Sequence, residues 1–367
     1  MQIRSFDARP DLVHRVAPAP DAAASVAADI AHCRALLANG SRTFLAASFL
    51  LPRAVRDPAC ALYAFCRVAD DAIDTAPVGE IDHALAALRR SLDRVYDGDP
   101  VGAIERAFAA VVRRHAIPRL LPESLLEGFA WDVAARRYES MADLHDYAAR
   151  VAGTVGAMMA LVMGARSPAA LARACDLGVA MQLSNIARDV GEDARLGRVY
   201  LPLSWLREAG IDVDAFVAAP RHDARLGRVV ARVLAHAQAL YARVGAGVAE
   251  LPVGCRIGIN AARFLYAEIG REVGRRDGNS IDTRAVVPPW RKAALLARAA
   301  ACVVPRRGVV EPPLPATRHL VDAASLSAAT APSAAPGAEG RFVWMLDLFE
   351  RLERQDRLRH AGGLRRA

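Results

Sequence analysis

Residues 182–202 read QLSNIARDVGEDARLGRVYLP, and this stretch decides how the chain is interpreted. Gln182, Asn185, Asp189 and Asp193 recur at spacings of 3, 4 and 4, so a helix places them on one face. The residues around its start (177–186) are mostly apolar, which indicates a buried helix. Carboxylates only about 5–6 Å apart on a buried face need protonation, arginine partners or divalent cations to offset their repulsion.

A second stretch, YAFCRVADDAID (63–74), repeats the pattern on another helix that is apolar nearly all round. Its polar stripe consists of Tyr63, Arg67, Asp70 and Asp74. Two carboxylate pairs and an asparagine are hard oxygen ligands, which suit Mg²⁺. Because bound Mg²⁺ is usually completed by substrate phosphates, the pattern predicts a diphosphate held between the two rows, with arginines taking the remaining charge. A single DxxxD is usually a solvated helix face, but two on apolar helices, each near an arginine, favour a functional site.

The rest of the chain predicts an all-α domain over residues 23–304, with roughly nine or ten helices separated by prolines. Neither β-hairpin nor βαβ patterns occur in this Ala-, Leu- and Arg-rich sequence. Residues 1–22 are interpreted as a flexible N-terminal segment and 305–340 as an Ala/Pro/Ser-rich linker. Residues 341–367 predict an amphipathic helix with a basic tail, which either packs on the domain or lies on a membrane surface.

Composition narrows the class of protein. Of 367 residues, 53% are apolar and 24% charged, which excludes wholesale disorder. Residues 151–165 form the longest weakly polar stretch, shorter than the ~20 residues of a membrane span, and no apolar signal region follows the N-terminus. Six cysteines without zinc spacing favour reduced thiols in a cytosol. The net charge is +8, but aromatic residues are only 6%, so anionic small molecules or membranes are favoured over nucleic acid.

Both acidic stretches resemble the head-to-head prenyl synthases, the family of phytoene and squalene synthases. SRTFLAASFLLP (41–52), YESMADLHDYAARVAGTVGAMM (138–159) and AARFLYAEIG (261–270) match as well, in the same order, over most of residues 30–292. The resemblance is greatest to the bacterial phytoene-forming branch. It implies an isoprenoid-synthase-type helical bundle around a central cavity, in a bacterial cytoplasmic enzyme that associates peripherally with the membrane.

The resemblance also implies roles for individual residues. Mg²⁺ would be bound from two facing walls by Asp70, Asp74, Asn185, Asp189 and Asp193. Diphosphate oxygens would be held by Arg67, Arg188, Arg198, Tyr200, Arg284 and Lys292. Ser41, Thr43 and Phe44 match a loop that helps to cover the site. The cavity near the reacting carbons would be lined by Tyr63, Tyr147, Gln182 and Tyr266.

The segment 151–157 suits a reactive carbocation, because Val151 and Val155 present an inert face. Its two glycines, at 153 and 156, allow close approach or a local bend, although ordinary helix packing explains them equally well. Alignment with the family places Ser48 and Cys60 at the cavity floor. Their small size would leave room for a twenty-carbon prenyl chain.

The reaction implied by the resemblance starts from two geranylgeranyl diphosphates. They form a cyclopropyl diphosphate and then phytoene, the first committed step of carotenoid biosynthesis. The expected cofactor is Mg²⁺, with Mn²⁺ as a substitute and without NADPH; the expected partners are a membrane surface and other carotenoid enzymes, not nucleic acid. Two alternatives stay open: a squalene or dehydrosqualene synthase acting on farnesyl diphosphate, and a non-enzymatic, membrane-associated assembly factor.

Overall fold

A computed structural model describes residues 20–40, 50–77, 80–304 and 311–329. These residues form fourteen α-helices and no strand, so the all-α prediction is confirmed. The helices are α1 Pro20–Gly40, α2 Arg53–Asp74, α3 Ile81–Asp97, α4 Gly102–His115, α5 Leu120–Val133, α6 Met141–Ala148, α7 Thr154–Val162, α8 Pro168–Arg195, α9 Leu203–Glu208, α10 Val213–Ala218, α11 Ala224–Glu250, α12 Val253–Gly274, α13 Pro289–Ala301 and α14 Arg318–Ala329. A π-helix, Ala149–Gly153, joins α6 to α7, and a 3₁₀ turn, Pro315–Thr317, precedes α14.

Helix α8 is the centre of the bundle. Ser167 caps its first turn by accepting a hydrogen bond from the Ala170 amide, and Pro168 occupies the first helical position. Helices α7, α11, α12 and α14 and the π-helix pack around α8. Leu171, Val179 and Leu183 are fully buried on it, so this 28-residue helix supplies much of the core.

Two glycines allow neighbouring backbones to touch α8. A Cβ at Gly156 would lie 2.2 Å from the Ala174 carbonyl oxygen, and one at Gly178 would lie 2.2 Å from that of Ala152. Any larger residue would push α7 or the π-helix away from α8. Gly156 therefore allows the close approach of α7 to α8. The irregular backbone in this segment is the π-helix that precedes α7.

Residues 311–329 contradict the linker prediction. They contain the 3₁₀ turn and α14, whose Leu320, Val321 and Ala324 are buried against the bundle. Composition was misleading here, because alanine and serine are also compatible with a short helix that tertiary packing stabilises. The short helices α9 and α10, six residues each, likewise lie in Pro- and Gly-punctuated sequence, and they contribute to a helix number above the predicted nine or ten.

Other predictions concern properties of the whole chain. All six cysteines are free thiols in the structure. Among the described helices, none is both long and apolar enough to cross a membrane. The predicted N-terminal segment (1–22, except for the first residues of α1) and the C-terminal helix and tail (341–367) lie outside the described residues.

Candidate active site

The second acidic row lies on α8, as its spacing predicts. Asn185, Asp189 and Asp193 follow one another by single turns along one face toward the end of the helix. The Oδ1 atom of Asn185 is buried and has no hydrogen-bond partner among the described residues. A buried, unpaired oxygen is energetically unfavourable, so this position fits a site that a ligand completes.

Two arginines hold Asp189. Arg188 donates to both carboxylate oxygens, with Nε–Oδ1 at 2.8 Å and Nη2–Oδ2 at 2.5 Å. Arg284, from the segment before α13, donates to the same two oxygens at 2.9 and 3.1 Å. Burial opposes ionisation of Asp189, but the hydrogen bonds from both arginines outweigh it and lower its pKa. Asp189 is therefore a fixed negative charge between two guanidinium groups.

Asp193, one turn further, behaves differently. Burial and the negative charge of Asp189 raise its pKa to about 7, although the positive charge of Arg198 counteracts them. A carboxyl group with such a pKa changes its charge near neutral pH. A cation bound beside it would favour the ionised form.

The first acidic row lies on α2 and is more exposed. Arg67 donates to Asp71 through Nε at 3.0 Å, and its Nη1 lies 3.6 Å from an Asp70 oxygen. The predicted stripe had not included Asp71. Asp74 ends α2, but its side chain lies outside the described residues.

Helices α2 and α8 both contact α7, and within the described part of the chain they do not pack extensively on each other. In those same ranges, no three His, Cys, Asp or Glu side chains are arranged to hold a metal ion. Arg188 and Arg284 occupy the Asp189 oxygens that the prediction assigns to Mg²⁺. On α2, Arg67 binds mainly Asp71, which is not one of the predicted metal ligands. The donor set on α8 nevertheless fits Mg²⁺, because Asn185, Asp189 and Asp193 offer hard oxygens and the Asn185 oxygen lacks a partner.

An apolar cavity of about 260 Å³ adjoins the α8 row. Its walls come from the π-helix, α7, α8, α11 and α12. On α8 the lining residues share the face of Asp189: Ala170, Arg173, Ala174, Leu177, Gly178, Met181, Gln182 and Asn185. The charges of Arg188 and Asp189 act on the hydroxyl group of Tyr266, another lining residue, so the polar end of the cavity lies at the acidic row.

The predicted cavity residues separate into two groups. Val151, Val155, Gln182 and Tyr266 line the cavity. Tyr63, Tyr147 and Cys60 are not among the described residues that line it. Cys60 is instead buried in the packing of α2, and after burial itself its proximity contributes to the raised pKa of the Cys33 thiol.

Three tyrosines form a cluster around Asp132 that no pattern in the sequence predicts. Tyr147 and Tyr200 donate from their hydroxyl groups to Asp132 at 2.9 and 2.7 Å, and their rings stack with centroids 5.1 Å apart. The ring of Tyr138 lies 5.1 Å from that of Tyr147. The charge of Asp132 also contributes to the raised pKa of Asp193, so this cluster adjoins the acidic row. Tyr200 thus donates its hydrogen bond to Asp132 in this structure, whereas the prediction has Tyr200 bind diphosphate oxygens.

Some predicted residues cannot be placed in the site. Lys292 is half-buried in α13, following Arg291. Four of the residues predicted to cover the site or to form its floor lie outside the described ranges: Ser41, Thr43, Phe44 and Ser48.

Comparison with known proteins agrees with this architecture. Residues 37–291 match the model of the squalene/phytoene synthase family. A phytoene synthase of Rhodobacter capsulatus is 50% identical over 309 residues, covering 81% of this chain and 90% of the relative. A phytoene synthase of Cereibacter sphaeroides is 47% identical over 342 residues, covering 90% and 95%.

Solved structures show the same fold. A dehydrosqualene synthase with bound ligand superposes with a TM-score of 0.70 at 28% identity, covering 76% of this chain and 97% of that protein. A squalene synthase of Alicyclobacillus acidocaldarius gives 0.65 at 25% identity, covering 70% and 97%. The chain therefore belongs to the squalene/phytoene synthase family of prenyltransferase enzymes.

Proposed function

We propose that this enzyme condenses two molecules of geranylgeranyl diphosphate head to head, through a cyclopropyl diphosphate, to phytoene. The observation that carries the proposal is the single face of α8 that runs from apolar cavity wall into Asn185 and Asp189. A prenyl diphosphate has the same order, a hydrocarbon chain that ends in an anion. The names of the relatives from R. capsulatus and C. sphaeroides support phytoene as the product.

Mg²⁺ would be held by Asn185, Asp189 and Asp193 from α8, and by Asp70 and Asp74 from α2. When bound, Mg²⁺ or a substituting Mn²⁺ stabilises the negative charge of departing diphosphate. NADPH is not required for phytoene, because the last cation loses a proton instead of accepting a hydride.

The arginines at the polar end would take the remaining diphosphate charge. Arg188 and Arg284 already lie at this end and can exchange Asp189 for phosphate oxygens, since guanidinium groups bind both bidentately. Arg67, Arg198, Tyr200 and Lys292 are further candidates. Their contribution would be greatest as the carbon–oxygen bond breaks, when charge accumulates on the leaving diphosphate.

The cavity would protect the carbocation that remains. The side chains of Val151 and Val155 are saturated hydrocarbon, so they offer the cation no nucleophile and help to exclude water. Gln182 and Tyr266 lie at the polar end, where the allylic carbon would ionise. The face of an aromatic ring can stabilise a nearby cation by roughly 0.5–2 kcal/mol.

A second candidate is squalene or dehydrosqualene formation from farnesyl diphosphate, because the similar solved structures carry those names. Purified enzyme with Mg²⁺ and each prenyl diphosphate, with and without NADPH, separates the two by mass analysis of extracted hydrocarbons. We expect phytoene from geranylgeranyl diphosphate without NADPH. Higher kcat/KM for farnesyl diphosphate would favour the second candidate, and no diphosphate release from either substrate would favour a non-enzymatic role.

A membrane surface is the proposed second partner, because the hydrocarbon product is too apolar to cross water freely. Trp290 and Val286 are 66% and 61% exposed in the segment that follows Arg284, and Arg291 stacks on the Trp290 ring. Exposed apolar side chains beside arginines suit a bilayer with anionic lipids. Other enzymes of carotenoid biosynthesis could then take the product from the same membrane.

A further inference from the structure

Residues 311–329 pack beside the cavity although they lie beyond the family match, which ends at residue 291. Thr317, Leu320 and Ala324 are fully buried and Val321 nearly so, and their spacing places them on one face. That face packs on α5, α7 and α8, and the 3₁₀ turn packs on α6 and the π-helix. We call this segment the strap.

The strap is tied to the end of the cavity opposite the acidic row. Of the described residues that line the cavity, Arg173 is the only one with a charged side chain. It lies twelve residues before Asn185 on α8, a distance of about 18 Å along the helix. Its Nε lies 2.9 Å from Asp176, which is completely buried, and its Nη2 donates to the Pro312 carbonyl at 3.2 Å.

Arg243 of α11 completes this attachment. Its Nε lies 3.2 Å from both Asp176 and Glu311, and its Nη2 also donates to the Pro312 carbonyl. A buried ion cluster holds its members in place strongly, because losing one member leaves the others uncompensated away from water. The start of the strap therefore helps to fix the position of Arg173.

The strap also supports one cavity wall. At Gly153, the last residue of the π-helix, a Cβ would lie 3.6 Å from atoms of Thr317, Leu320 and Val179. The strap and α8 thus enclose the π-helix at this point. Val151 and Ala152, the two residues before Gly153, line the cavity. Leu320 consequently supports this wall from behind without itself lining the cavity.

We propose that the strap is a specificity-determining element: by fixing Arg173 and by supporting the π-helix, it limits the length of prenyl chain that the cavity accepts. This proposal rests on the proposed function, since it assumes that a prenyl chain fills the cavity. Loosening the strap lets the π-helical wall and Arg173 move outward. The distinction between a C15 and a C20 chain then becomes smaller.

The test compares two leucines of α14 in the full-length protein. Leu320→Ala removes the support of the wall, whereas Leu326→Ala makes the same chemical change at a side chain that is 75% exposed. Arg243→Met is a second variant that breaks the attachment from a residue outside the cavity lining. Calorimetry measures the Kd of unreactive thio analogues of farnesyl and geranylgeranyl diphosphate, with Mg²⁺, for each protein.

We expect the ratio of the two Kd values to change by at least about fivefold in Leu320→Ala and in Arg243→Met, in line with what a methylene-sized change in an apolar pocket is worth. In Leu326→Ala the ratio stays at the wild-type value. If Leu320→Ala and Arg243→Met keep the wild-type ratio, with or without a lower melting temperature, the strap is merely structural and the proposal is overturned. Failure of the wild-type protein to bind either analogue would instead overturn the proposed function, and the strap proposal with it.

Discussion

Replacing Gly178 by alanine tests the close contact on which the shape of the cavity depends. The added Cβ would lie 2.2 Å from the Ala152 carbonyl oxygen and 2.7 Å from the Ala152 carbonyl carbon. Carbon and oxygen approach no closer than about 3.3 Å even in favourable contacts, so α8 and the π-helix must separate by about 1 Å. Neither partner can rotate away, because both are backbone atoms within helices.

The expected magnitude follows from two opposing terms. Overpacking a well-packed interior typically costs up to about 3 kcal/mol, and the backbone contact places Gly178→Ala at that upper end. Alanine recovers about 1 kcal/mol of helix propensity relative to glycine. The net loss in free energy of unfolding is therefore about 2 kcal/mol, which lowers the melting temperature of a chain of this size by about 3 °C.

Gly274→Ala is the matched control. Gly274 ends α12, and a Cβ there would have no neighbour within 4 Å, so this variant should be as stable as wild type or up to about 1 kcal/mol more stable. Urea unfolding followed by circular dichroism measures both variants. Equal midpoints for Gly178→Ala and Gly274→Ala would show that α8 and the π-helix do not touch at this point, and the description of the cavity wall would then be wrong.

Three further predictions concern the polar end and the surface beside it. Arg284→Gln removes two hydrogen bonds to Asp189, so NMR titration should show a higher pKa for the Asp189 carboxyl group. Calorimetry should show several-fold weaker binding of Mg²⁺-pyrophosphate. If both values are unchanged, Arg284 has no role in the site. Because the pKa of Asp193 is raised to about 7, Mg²⁺ must displace a proton from it below pH 7. The increase in melting temperature on adding Mg²⁺ should therefore be larger at pH 8 than at pH 6, and Asp193→Asn should reduce this difference. An increase that is independent of pH in the wild type would contradict the metal assignment. Trp290→Ala removes an exposed apolar side chain, so it should reduce flotation with liposomes of anionic lipid more than Val26→Ala does; equal flotation argues against this patch as the membrane contact.

The helical fold and the α8 row were predictable because both depend on spacing within one segment. Asn185, Asp189 and Asp193 lie on one helix, and the 3.6-residue period alone decides that they share a face. The same rule places Gln182 on this face, one turn before Asn185, whereas its position in the cavity lining was implied by the family resemblance.

Residues far apart in the chain escaped prediction. Asp132 accepts hydrogen bonds from tyrosines 15 and 68 residues away, and no local pattern marks an aspartate that only tertiary folding brings to them. The strap escaped for another reason. Leu320 and Val321 are too few apolar residues to stand out in Ala-, Pro- and Ser-rich sequence, and their burial is decided by the surface of α8 that they cover.

Under the proposed function, helix α8 sets the direction in which a prenyl diphosphate would bind. Along α8 the cavity face begins at Ala170 and Arg173, continues through Gly178 and reaches Asn185, with Asp189 one turn beyond. A prenyl diphosphate placed the other way would bring its anion among apolar side chains and its hydrocarbon chain against Asp189, and both changes are unfavourable. Arg173, at that other end, already has a negative partner in the completely buried Asp176, and no other described residue that lines the cavity is charged. Under the proposed function, the acidic row is therefore the place where the bond to diphosphate would break, because its arginines and its unpaired Asn185 oxygen lie there.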